Sequence, residues 1–78
     1  MPKKHLFSEM ELAALAKKYR MAAGKKRAEA ARELGVARPS LIHAEDFPEK
    51  TFIKLRIRMI EKYSGYRVVG PAYWLEKR

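Results

Sequence analysis

Apolar side chains recur at helical spacing near the start of the chain: Leu12, Leu15, Ala16, Tyr19 and Ala23 fall three or four residues apart. Ser8 and Glu11 stand just ahead in the S-x-x-E arrangement that satisfies the orphan amides of a helix start. Phe7 and Leu12 can close over it as a hydrophobic staple. Gly24 supplies a stop, so the spacing predicts a helix over 9–23. An alanine-rich run ending in Leu34 predicts a second helix over 27–34, with Gly35 able to take positive φ beyond its end. A third is predicted over 38–46. Pro39 is tolerated there because the first helical turn has no internal amide bond to lose. Phe47-Pro48 ends it, since the residue before proline avoids the α region.

The pattern then changes. Phe52 to Ile60, FIKLRIRMI, alternates apolar and basic residues from Ile53 to Met59, and in isolation that reads as a strand. As a helix it gathers Phe52, Ile53, Leu55, Ile57, Met59, Ile60 and Tyr63 on one broad face, with Arg56 awkwardly among them. The apolar signal runs on through Tyr63, longer than most strands, and Ser64-Gly65 is a good helix stop, so a fourth helix is predicted. After it, Tyr66, Val68, Val69, Tyr73 and Trp74 are strand formers around a Gly70-Pro71 break, which predicts one or two short strands. The expected layout is a basic tail over residues 1–7, a helical domain over 8–65 and a β-like segment over 66–78. No internal repeat or low-complexity tract is visible.

A chain of 78 residues has room for one small core, and its 47% hydrophobic content argues against wholesale disorder. Eighteen Lys and Arg face nine Asp and Glu, a net charge of +9 that favours polyanions, nucleic acid first and anionic membrane second. There are no cysteines, which removes disulfides, zinc fingers and thiol catalysis and fits a reducing cytoplasm. No apolar run approaches the roughly 20 residues that span a bilayer. The basic start MPKKH is not followed by the apolar stretch of a secretory signal, so a cytoplasmic protein is expected.

The segment AARELGVARPSLIHAED, Ala30 to Asp46, meets the demands of a helix-turn-helix. Ala31 is the small residue where two helices would cross and Gly35 is the turn. Ala30, Leu34, Val36, Leu41 and Ala44 are the inward positions. A plain helical hairpin has the same spacing, so the pattern narrows the choice without closing it.

GVARPSLIHAED resembles the turn and recognition helix of the phage repressor and Cro-like group, the lambda repressor-like helix-turn-helix family. YRMAAGKKRAEAARELGV resembles the end of that family's first helix and its second. The resemblance covers about residues 8–65. It implies a mainly α bundle of four to five helices, here with a short C-terminal β segment added, and a third helix lying in the DNA major groove. It also implies an ion pair between Arg20, late in the first helix, and Glu45, near the end of the third. The chain departs from the family at three places. Lys26 and Ala37 stand where Ser or Thr usually caps helices two and three, Pro39 replaces a common polar base reader, and the aromatic tail is extra.

On that reading Arg38, Pro39, Ser40, Ile42 and His43 form the outer face of the third helix. Arg38 suits a guanine O6/N7 edge, Ser40 and His43 can exchange hydrogen bonds, and Pro39 and Ile42 suit a thymine methyl. Lys25, Lys26 and Arg27, at the start of the second helix, and Lys50, beyond the third, would hold phosphates and set register. Tyr66, Val68, Val69, Tyr73, Trp74 and Leu75 are expected to join two subunits, since an exposed aromatic strand invites pairing; the alternative is a tail folded back on its own helices. The expectation is a sequence-specific transcriptional regulator that binds double-stranded DNA as a homodimer, without cofactor, metal or membrane.

Other classes fit less well. His43 with Asp46, and Glu9 with Glu11, lack a nucleophile, a phosphate-cradling glycine loop or a third orienting group, so no enzyme is expected. Two histidines make a poor start for a metal site. An RNA-binding basic domain could stack bases on the aromatic tail, and an antitoxin-like interaction module could use that tail for a protein partner.

Overall fold

The computed structural model describes residues 6–70 and 73–77. Four helices are seen among them: α1 (Glu9–Ala22), α2 (Arg27–Leu34), α3 (Arg38–Asp46) and α4 (Ile53–Ser64). A two-stranded antiparallel sheet follows, β1 (Tyr66–Val69) and β2 (Trp74–Lys77). The molecule is therefore mainly helical with a short C-terminal β hairpin.

Helix starts follow local chemistry. At α1 the Glu11 amide donates to Ser8 Oγ (3.1 Å) and the Ser8 amide donates to Glu11 Oε1 (2.9 Å), which is the reciprocal capping box. At α2 only half of that device can exist, because a lysine side chain offers no acceptor. The Lys26 amide donates to Glu29 Oε1 at 3.1 Å and nothing on Lys26 answers it. At α3 the cap residue Ala37 has no side-chain bond to give. Gly35 ends α2 at φ +70° and Gly65 ends α4 at φ +79°, left-handed conformations that a Cβ would strain.

Leu12 and Ala16 of α1, Ala30, Ala31 and Leu34 of α2, Leu41 and Ala44 of α3, and Leu55, Met59 and Ile60 of α4 meet in one core. The strand-like alternation of Phe52 to Ile60 forms a helix, and two of its basic positions reach the ends of other helices. Arg56 is fully buried and donates from Nε to the Ala44 carbonyl (2.8 Å) and from Nη2 to the Phe47 carbonyl (2.9 Å), closing the end of α3. Arg58 reaches the Leu34 carbonyl at the end of α2 (2.6 Å). Both use a cation where a helix leaves unpaired carbonyls and a negative dipole end.

Within the chain the aromatic tail closes into a hairpin. Its two strands pair with each other, Val68 opposite Leu75 and Val69 opposite Trp74. Val68, Tyr73 and Leu75 pack against the chain's own core. The Val68 amide donates to Glu61 of α4 (3.1 Å), and the Tyr73 carbonyl accepts from the Phe7 amide (2.8 Å). The physical reason is that the four helices leave part of their core open, and the nearest apolar surface to cover it is the hairpin.

Candidate nucleic-acid interface

The unit α2, Gly35, α3 crosses with Ala30, Ala31 and Leu34 buried against Leu41 and Ala44, while Val36 is half-buried in the turn. Alanines at the crossing let the two backbones approach. The Val36 amide donates to the Ala31 carbonyl at 2.9 Å, which carries the chain out of α2 and into α3.

The far end of α3 is fixed by charge. Arg20 of α1 grips Glu45 with two parallel bonds, Nε to Oε2 and Nη2 to Oε1 (3.1 Å), and both side chains are almost wholly buried. A third Arg20 bond runs to the Lys25 carbonyl (2.7 Å) and ties in the α1–α2 turn. Arg27 joins the same acids, donating to Glu45 Oε1 (3.1 Å) and Asp46 Oδ2 (2.8 Å). Lys17 reaches Asp46 Oδ1 at 3.4 Å. Both acids of α3 are thus neutralised at one end, leaving the other end of the helix to its cation.

That network changes the standing of several residues proposed for phosphate binding. Arg27 is engaged by Glu45 and Asp46, so its guanidinium is already committed. Lys25 pairs with Glu33 (2.9 Å), and Glu33 in turn accepts from the Tyr63 hydroxyl (2.7 Å). The bond from Lys25 to Glu33 raises the Lys25 pKa, and the same lysine, followed by the tyrosine, holds the Glu33 carboxyl below its ordinary range. Burial and then Glu33 push the Tyr63 phenol up. Lys26 and Lys50 are exposed. Among the described residues Lys26, Arg38, Lys50 and Lys54 take part in no ion pair. They stand at the start of α2, the start of α3, the turn after α3 and the start of α4.

The proposed base readers are not equivalent. Arg38 and Pro39 are exposed at the first turn of α3, and Ser40, Ile42 and His43 are half-buried. The His43 ring meets Phe47 edge-on (centroids 5.2 Å, 88°) and lies 6.0 Å from Phe52. It belongs to an aromatic group that joins the end of α3 to the start of α4. Ser40 lines an open groove of about 390 Å³ with Val36, Thr51, Phe52, Lys54 and Arg58. Lys54 was missed by sequence reasoning because its place in the apolar-basic alternation of α4 made it look like a plain surface charge. The signal that finds it is the absence of any acid in the first turn of α4.

Among the described residues, no group of three or more His, Asp or Glu could hold a metal ion, and no helix is long and apolar enough to cross a membrane. No family model, curated protein or solved structure matches the chain.

Proposed function

We propose that this chain is a sequence-specific double-stranded DNA-binding protein, a transcriptional regulator of the lambda repressor-like helix-turn-helix kind, with α3 set in the major groove. The observation that carries the reading is the polarity of α3: its first turn shows Arg38 and Pro39 to solvent, while Glu45 and Asp46 at its far end are held by Arg20, Arg27 and Lys17. A helix meant to approach a polyanion gains by leading with a cation and by having its acids neutralised. Lys26 at the start of α2, Lys50 in the turn after α3 and Lys54, which shares a groove with Ser40, suit phosphates, while Arg38 suits a base edge. Two copies on half-sites about one helical turn apart would double so small a reading surface.

Selection of bound sequences from random duplex DNA, followed by anisotropy titrations over a range of salt, tests the proposal. A recovered motif, with affinity falling steeply as salt rises, is expected. Enrichment of no motif and equal affinity for single-stranded RNA would overturn it.

A further inference from the structure

We infer that α3 reads a two-base step, a pyrimidine carrying a 5-methyl group followed by guanine, through Arg38 and Pro39 together. This rests on the DNA-binding reading above and narrows it.

The inference comes from elimination among the side chains of α3. Leu41, Ala44 and Glu45 are buried, and Asp46 is held by Lys17 and Arg27. His43 is packed on Phe47 and Phe52, Ser40 sits in the wall of the groove beside α4, and Ile42 is half-buried. The exposed side chains outside any such contact are Arg38 and Pro39, adjacent at the helix start. An arginine pairs best with the O6 and N7 acceptors of guanine. A proline ring has no donor and offers apolar surface, and the one apolar group on a base edge in the major groove is the pyrimidine 5-methyl. Consecutive Cα atoms lie about 3.8 Å apart and consecutive bases on a strand about 3.4 Å, so neighbouring residues of one turn meet neighbouring bases. Thymine and 5-methylcytosine present the same methyl, and the chemistry on α3 accepts either.

Anisotropy with the full chain and short duplexes of about two helical turns tests this. Flanks of alternating dA and dU supply neither a methyl group nor a guanine, and one central step is varied: TG, UG, CG or 5-methyl-CG. Affinity is expected to fall about fourfold from TG to UG, the worth of one buried methyl. Methylating CG should raise it by a similar factor. A methyl effect in only one of the two pairs still supports the inference and identifies the source. Replacing the guanine of TG by 7-deazaguanine should cost about fivefold or more. Pro39→Ala should abolish the methyl effect and keep the deazaguanine effect; Arg38→Ala should do the reverse. Both sites are exposed, and circular dichroism checks that each variant folds. Binding to all the duplexes alike overturns the step preference and leaves DNA binding standing. Binding to none of them at low salt overturns both.

Discussion

Arg56 of α4 closes the end of α3, donating to the carbonyl of Ala44 at 2.8 Å and, through a second nitrogen, to that of Phe47 at 2.9 Å. The side chain is wholly buried and its Nη1 has no partner among the described residues. Burial lowers its pKa, yet a guanidinium stays charged, so the helix end receives a full cation. The arrangement makes α4 the support that sets the angle of α3, and the angle of α3 decides where Arg38 is presented.

Arg56→Met fills the same space and removes the donors. The Ala44 carbonyl then loses its donor, whereas the Phe47 carbonyl keeps the Lys50 amide, so about 1–3 kcal/mol is expected. Urea unfolding measures it. A midpoint equal to or above that of the parent chain would mean that desolvating the arginine costs more than its bonds return.

The Arg20–Glu45 pair makes a graded prediction. Glu45→Ala leaves two guanidiniums without their acid, one of them buried, and should destabilise by about 3–5 kcal/mol. Arg27→Ala removes a more exposed partner that water can replace, and should cost about 1 kcal/mol or less. Equal losses from the two would show that the pair is not buried in solution.

Tyr63 gives a signature at high pH. Burial and its bond to Glu33 raise its pKa above the ordinary tyrosine value of about 10. A group whose folded pKa is raised holds its proton longer in the fold. Its contribution is therefore full below about pH 10 and is lost as pH climbs towards the folded value. Ultraviolet titration of the phenols should show a late component that is absent from Tyr63→Phe, and the fold should weaken above about pH 10. A late component that survives in Tyr63→Phe would contradict it.

The helices were legible because their signals are local. Ser8 with Glu11, Gly35, Phe47-Pro48 and Ser64-Gly65 each act within a few residues, and α2 and α3 fall where those signals put them. Arg56 was not legible. Its burial depends on carbonyls of Ala44 and Phe47 that come near only once α3 and α4 have packed. The commitments of Arg27 and His43 were hidden for the same reason, since Glu45, Asp46 and Phe52 reach them across a turn or from another helix. Strand-forming residues placed strands in the tail correctly but could not say which chain would cover them, because that depends on how much core the four helices leave open.

Two adjacent valines test where the hairpin faces. Residues facing each other across strands share one side of a sheet, and neighbours along a strand lie on opposite sides. Val68 and its partner Leu75 pack against the core, so Val69 and its partner Trp74 belong to the outer side. A half-buried valine contributes about 1 kcal/mol through its contacts, so Val68→Ser should lower the unfolding midpoint by about that much. Val69 is also half-buried but lies off the core, so Val69→Ser should cost clearly less than Val68→Ser. The same two variants separate folding from assembly. If a second copy meets this protein on a palindromic duplex through the outer side of the hairpin, Val69→Ser weakens the two-to-one complex seen by sedimentation while Val68→Ser acts only through stability. Should both variants sediment with DNA as the parent does, the outer side of the hairpin is not the contact between copies, and the aromatic tail serves only to close the core of its own chain.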